Sequence, residues 1–156
     1  MSNTNCPCGQ GDYATCCEPL HLGKTQAQSA EQLMRSRYSA FVKHCIDYIV
    51  KTTAVGQKSQ LDQAALAQWS TSNQWEKLEI ISGNPRIDAT HAMVEFKAYY
   101  FDGNAKQIHH EVSYFVKHQT AWYFIDPTVE AFPTMKQPCL CGSEKKFKHC
   151  CAAFIL

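Results

Sequence analysis

The sequence predicts an α+β domain, with helices packed on one face of a curved antiparallel sheet and a small cysteine-rich knuckle at each end. Three observations predict it. Helical periodicity runs up to about Trp69 and then gives way to period-two alternation. The alternating segments are joined by turn signals rather than by helices, which argues for an antiparallel meander. Eight of the nine cysteines fall into two tight groups, one at each end. The expected units are a first knuckle over 1–22, an α+β domain over 28–134 and a second knuckle over 136–156.

Each element has a local reason. After a polar link, Gly23 to Gln28, Ser29 is placed to cap a helix, with Gln32 three residues on as its capping-box partner. Met34, Tyr38, Phe41 and Cys45 follow at helical spacing, beside Leu33 and Val42, while Arg35, Arg37 and Lys43 fall off the stripe. Asp47 is the expected cap of a short second helix carrying Tyr48, Ile49 and Val50, ended by Gly56. Ser59 is the expected cap of a third, in which Leu61, Ala65 and Trp69 recur every four residues. Trp75 to Ile81 reads as a strand, closed by Ser82-Gly83-Asn84-Pro85. His91 to Phe101 is a second strand, with Ala92, Val94, Phe96, Ala98 and Tyr100 on one face. Asp102-Gly103 signals a tight hairpin with both central residues at φ > 0. The return strand, from about Ala105 to Lys117, alternates Ile108, His110, Val112, Tyr114 and Val116 against Gln107, His109, Glu111, Ser113, Phe115 and Lys117. A last strand, Ala121 to Asp126, is stopped by Pro127.

At 156 residues the chain has room for one domain of about 100–150 residues plus small appendages. Its hydrophobic share of 45% is enough for a core, which excludes a disordered middle. Fifteen basic against 14 acidic side chains give no global argument for nucleic-acid or membrane binding. The opening residues are polar and uncharged, unlike a signal peptide. No apolar run reaches the ~20 residues of a membrane-spanning helix. A reducing, cytoplasmic setting is therefore expected, and with it metal ligation rather than disulfides.

C-x-C lets two thiolates reach one ion across a tight turn, and Gly9 and Gly142 permit the sharp backbone path. A second pair, Cys16-Cys17 or Cys150-Cys151, arrives from the far side of the loop. Adjacent side chains tend to diverge, so His149 is an alternative ligand in the second knuckle, and His21 a weaker one in the first. Four thiolates suit zinc or iron. Cys45, the ninth cysteine, reads as a buried small hydrophobe.

Cys139-x-Cys141-Gly142-Ser143-x-Lys145-Lys146-Phe147-Lys148-x-Cys150-Cys151 resembles the SEC-C motif, the zinc-binding tail of the SecA preprotein translocase. Cys6-Pro7-Cys8-Gly9-Gln10 with Cys16-Cys17 resembles a copy one residue shorter. With Leu33 to Tyr38, Ala40-Phe41-Val42 and Trp122-Tyr123-x-Ile125-Asp126, nearly the whole chain resembles the YchJ family of bacterial proteins. The resemblance implies an NTF2-like cone in the middle and two zinc ions, held by Cys6, Cys8, Cys16 and Cys17 and by Cys139, Cys141, Cys150 and Cys151. The translocase version ends in Cys-His where this chain has Cys-Cys. In SecA the motif docks to the SecB chaperone and the ribosome, so an export chaperone or the ribosome is the implied partner. NTF2-like sheets also pair into homodimers.

Residues 136–151 hold four lysines against one glutamate, and residues 1–22 hold only Asp12 and Glu18. The basic second knuckle is thus the expected contact with an acidic chaperone surface or ribosomal RNA. The first functional reading is a metal-binding adaptor. The second is a small-molecule-binding protein or enzyme using the NTF2-like pocket, with His110, Tyr114 and Asp126 as pocket candidates. No nucleophile–base pair can be placed from spacing alone, so the reading leans away from an enzyme. A third, redox sensing, requires exposed thiols of low pKa. Tyr38 and Trp122 are read as core rather than as ligand-stacking residues, and Arg35 and Arg37 as surface ion pairs rather than as an anion site at the pocket mouth.

Overall fold

Ser29 decides where the central helix starts. Its side chain accepts from the Gln32 N–H at 3.1 Å, and α2 follows as Ala30–Lys43. The expected capping box is displaced by one residue, because the Gln32 side chain accepts from the Gln28 N–H rather than from that of Ser29. The computed structural model describes residues 4–82, 87–129 and 132–155. The turn expected at Gly83-Asn84-Pro85 lies outside them.

Before α2 come a 3-10 turn, Tyr13–Thr15, and the short α1, Glu18–His21. After it come α3, Ile46–Lys51, a 3-10 segment, Val55–Gln60, and α4, Gln63–Ser72. Two expected caps are not used. Cys45 precedes α3, leaving Asp47 inside its first turn, and Asp62 rather than Ser59 caps α4 by accepting from the Ala65 N–H at 3.0 Å. Gly56 ends no helix; it lies inside the 3-10 segment.

The sheet contains β1, Gln74–Ser82, β2, His91–Phe101, β3, Lys106–His118, and β4, Ala121–Ile125, in the order β1-β2-β3-β4 with antiparallel neighbours. The β2–β3 connection is a four-residue loop, because Phe101 pairs with Lys106. The Asp102 carboxylate accepts from the N–H groups of Asn104 and Ala105, and only Gly103 takes a positive φ, of 94°. The free edge of β4 is covered by the chain leaving α3. Phe124 N–H donates to Thr52 O at 2.7 Å, and Ala54 N–H to Phe124 O at 2.8 Å.

One face of the sheet packs on α2, where Leu33, Ala30, Val94, Ala92 and Phe115 are fully buried. Trp122 and Tyr38 join that core, as the sequence predicts. Arg37 does not behave as a surface cation: it is buried, with NH1 donating to Ile49 O at 2.9 Å and to Thr52 Oγ1 at 2.7 Å. Arg35 is the ion-pairing residue, to Glu31 at 3.1 Å. The opposite sheet face carries Val116 and Ile125, buried with Ala54 under the second knuckle, in which a 3-10 turn, Phe147–His149, and the short α5, Ala152–Ile155, close the chain.

Candidate metal centres and the middle cavity

The two knuckles repeat one backbone. Gly9 N–H donates to Cys6 O at 3.0 Å, and Gly142 N–H to Cys139 O at 3.3 Å. Both glycines sit at φ 86°, in the left-handed region where a side chain is strained. Cys16 N–H reaches Tyr13 O, and Cys150 N–H reaches Phe147 O, each at 3.1 Å. Cys16 and Cys150 leave the helical region (ψ −95° and −114°), which turns the adjacent Cys17 and Cys151 back toward the same centre. Divergence within each Cys-Cys pair is thereby avoided.

The sulfurs of Cys6, Cys8, Cys16 and Cys17 all lie within 4.8 Å of one another, and so do those of Cys139, Cys141, Cys150 and Cys151. Cys8–Cys16, Cys16–Cys17 and Cys141–Cys150 are 3.5, 3.9 and 3.6 Å apart. A tetrahedron of thiolates about 2.3 Å from a central ion has edges of about 3.8 Å, so both sets fit a metal. All nine cysteines are free thiols. His149 is exposed and outside the second set. His21 is engaged elsewhere: burial pushes its pKa down, it accepts from Tyr13 OH at 2.6 Å and donates from Nε2 to Ser36 O at 2.8 Å.

Crowding makes the thiol protons unequal. Hydrogen bonding from Cys17 lowers Cys8 to about 5, while the same bond and burial push Cys17 far up. In the second set Cys139 and Cys151 hold Cys141 well below the ordinary thiol range, and Cys151 is driven far above it. One proton leaves each set readily, while hydrogen bonding to the lowered thiol and burial hold the protons of Cys16, Cys17, Cys139 and Cys151. A central cation removes that resistance, the chemistry expected of a four-thiolate site. Of the eight clustered sulfurs only that of Cys16 is partly exposed, which is unfavourable to redox sensing by accessible thiols.

The surroundings differ. The first set is tied to α2 by polar contacts: Arg35 donates to Cys8 O at 2.9 Å, and Cys6 Sγ lies 3.6 Å from Ser39 Oγ. The second packs into the sheet. Gly56 N–H donates to Leu140 O at 2.7 Å, and a Cβ on Gly56 would stand 2.7 Å from that oxygen. His91, buried at the start of β2, spans from the Asp88 carboxylate (3.0 Å from Nδ1) to Cys151 Sγ (3.4 Å from Nε2).

Between α2, α4 and the inner sheet face lies a cavity of about 760 Å³. Asp126 lines it; His110 and Tyr114 do not. His110 points to the outer face and pairs with Glu95 at 2.7 Å, and Tyr114 packs against the second knuckle. The cavity instead receives His109, Glu111 and Ser113. His109 Nε2 is 3.0 Å from Glu111 Oε1, and Ser113 OH donates to the other Glu111 oxygen. The bond to Glu111 outweighs burial and raises His109. Burial pushes Glu111 up, but the bonds from His109 and Ser113 outweigh it and hold the carboxyl below its usual value. The buried Gln57 side chain positions Asp126 by bonding both its N–H and its C=O at 2.9 Å.

A family model described as YchJ, middle NTF2-like domain, matches residues 29–127. The chain belongs to the YchJ family. The SEC-C motif matches residues 135–153. A UPF0225 protein of Actinobacillus succinogenes is 52% identical over 151 residues, covering 96% of this chain and 97% of that one. Another, from Haemophilus influenzae strain Rd, is 47% identical over 156 residues, covering 99% and 96%. A crystal structure of a SEC-C motif containing protein from Psychrobacter arcticus superposes with a TM-score of 0.88 at 42% identity, covering 99% of this chain and 98% of that one. The solution structure of a SEC-C motif containing protein from Rhodopseudomonas palustris gives 0.72 at 36%, covering 78% and 95%. The YchJ middle domain is thus an NTF2-like fold, in agreement with the α+β prediction.

Three cavity-lining residues of this YchJ-family chain escape the periodicity reading, and each leaves a signal. Residues facing each other across a hairpin share a sheet face. An even-length loop after Phe101 pairs even positions of β2 with odd positions of β3, so the buried Ala98 and Phe96 call for His109 and Glu111 on the cavity side. Arg37 stands four residues after the buried Leu33, on the same helix face.

Proposed function

We propose that the chain is a zinc-binding protein of the cytoplasm, with two ions per chain, each held by four thiolates, and that it acts as an adaptor docking through its second knuckle. The observation that carries the metal reading is the pair of four-sulfur sets built on one repeated backbone. Each set fills a tetrahedron with protein ligands and leaves no open position, which is the pattern of structural rather than catalytic zinc. Docking is supported by charge: Lys145, Lys146, Lys148 and His149 are all exposed on the second knuckle around the buried Phe147. By analogy with the SEC-C tail of SecA, the partner is an acidic surface of an export chaperone or the ribosome. Among the described residues no helix is long and apolar enough to cross a membrane.

Metal analysis of the purified chain is expected to give two zinc ions and no iron absorption, with thiols that titrate only after chelation. Absence of metal, together with freely titratable thiols in the folded protein, would end this reading. Co-sedimentation with purified ribosomes and calorimetry against an acidic export chaperone test the adaptor role. Binding by one of them, weakened by salt and lost in the Lys145→Glu, Lys146→Glu, Lys148→Glu variant, is the expected result. Indifference of both to that variant would remove the docking reading and leave the metal reading standing.

A further inference from the structure

Among the described residues, one buried cation of the middle domain has no carboxylate in contact with it. Arg37 is buried on the wall of the cavity, with its guanidinium carbon 4.2 Å above the Phe124 ring. Its described hydrogen bonds all leave from NH1, to Ile49 O, Thr52 Oγ1 and, more weakly, Thr53 Oγ1. A guanidinium carries five N–H donors, so donors remain for another partner. Among the described residues no carboxylate oxygen lies within 4.0 Å of it. Burial lowers Arg37 to about 10, which leaves it charged at neutral pH.

The three acids of the cavity lining are already engaged. Asp62 accepts from the Ala65 N–H at 3.0 Å. Glu111 takes hydrogen bonds from His109 and Ser113, and Asp126 takes them from the Thr128 N–H and hydroxyl at 2.8 and 2.6 Å. Asp62 and Asp126 keep their charges, so an anion is held here by direct contact with Arg37 rather than by the net charge of the wall. Most of the remaining wall is apolar, with Phe41, Trp69, Trp75 and Phe96 among its aromatic rings, and Gln60, Asp62 and Thr128 add polar groups. Trp69, at the margin, is partly exposed, so the cavity opens to solvent beside α4.

We propose that this cavity is a binding site for a small amphipathic carboxylate, with the carboxylate on Arg37 and an aromatic or alicyclic body against Trp69, Trp75 and Phe96. One planar fork matches one carboxylate in a bidentate pair. A nucleotide or another polyphosphate would need several cations, and the cavity wall supplies one free guanidinium. The volume, about 760 Å³, falls in the range of small-molecule sites, about 300–1,000 Å³. The site is separate from both cysteine sets, so it stands or falls independently of the docking role.

The test uses the full-length, metal-loaded chain and isothermal calorimetry with two probes of one shape, 2-naphthoate and the neutral 2-naphthylmethanol. Naphthoate is expected to bind at least about tenfold more tightly, the scale of one charge-assisted hydrogen-bonded pair. Arg37→Gln is expected to bring the two probes to equal affinity. Ala65→Trp, which fills the mouth from α4 and leaves Arg37 in place, is expected to weaken both by about tenfold or more. Equal affinity of the two probes for the wild-type chain, or no heat from naphthoate in the millimolar range, overturns the proposal. So does a charge preference that survives in folded Arg37→Gln. If Arg37→Gln does not fold, wild-type naphthoate affinity in Ala65→Trp overturns it instead.

Discussion

Gly9 and Gly142 occupy the same turn at the same φ of 86°, yet their surroundings differ. A Cβ on Gly9 would meet nothing within 4 Å; one on Gly142 would stand 2.8 Å from Val55 Cγ1. Cys6, Cys8 and Cys17 of the first knuckle make a small buried cluster of their own, held to α2 by hydrogen bonds, and beyond them Leu20 and His21 pack on the main core. The second is part of the domain. Its Leu140 and Phe147 are buried together with Ala54, Val116 and Ile125. One metal-binding motif thus serves two mechanical roles in one chain. The ligand geometry is local and transfers between contexts, whereas the stability it confers depends on what the loop covers.

The largest difference should come from removing one metal at a time. Cys8→Ser and Cys141→Ser are each expected to lower the metal content from two ions to one. Cys141→Ser should destabilise the middle domain more than Cys8→Ser. Uncovering Val116 and Ile125, at about 1.5–3 kcal/mol per buried side chain, amounts to about 3–6 kcal/mol. Denaturant unfolding followed by tryptophan fluorescence checks this, and equal losses in the two variants would break the comparison.

Glycine substitution sharpens it. Gly9→Ala is expected to cost about 1–2 kcal/mol for the left-handed backbone alone. Gly142→Ala should cost about 1–3 kcal/mol more, because the methyl group must displace Val55. The difference between the two melting curves isolates docking from turn strain.

Next in size is the outer support of each sulfur set. His91→Ala removes the link between Asp88 and Cys151 and is expected to weaken the second site about tenfold, the lower end of outer-shell effects. Chelator-driven zinc release should accelerate there and stay unchanged in the first knuckle. Ser39→Ala, beside Cys6, is expected to do the reverse, and less strongly, since a hydroxyl is the only group it removes.

The smallest effect lies away from both knuckles and shows whether the middle domain titrates on its own. His109 is raised in the folded state by its bond to Glu111, so its contribution is complete below its ordinary value of 6.5 and is lost as pH rises through the folded value. The stability difference between wild type and His109→Ala should therefore shrink from about pH 6.5 upward. Glu111 has the opposite sign: its contribution is present above its ordinary 4.5 and is lost as pH falls through the lowered folded value. Denaturant midpoints taken above pH 6.5 check the His109 limb without acid competing for the thiolates.

Much of the fold was legible from local pattern. The alternation of β2 predicted His91 to Phe101, and the strand has those bounds. Ser29 predicted the start of α2, because a cap acts over three residues. Asp47 and Ser59 misled because a capping residue is only a candidate until the backbone beside it bends. The faces of β3 were misread for a different reason. Ile108, Val112, Tyr114 and Val116 form the more apolar stripe, which makes His110 and Tyr114 on it pocket candidates, yet Val116 and Tyr114 are covered by the second knuckle and Ile108 and Val112 are exposed. A strand buried on both sides at one end carries two apolar stripes there, and hydrophobicity alone cannot rank them.

By itself the sequence determined the eight cysteines, their grouping, and the α+β order. Those features depend on residues at most thirteen positions apart, where the chain has little freedom to lose. Only the tertiary structure decided that one knuckle rests on Gly56 and His91 and the other on Arg35 and Ser39, that Arg37 is buried, and that His109 rather than His110 faces the cavity. Those choices join segments tens of residues apart, and packing between them, not local preference, sets their energy.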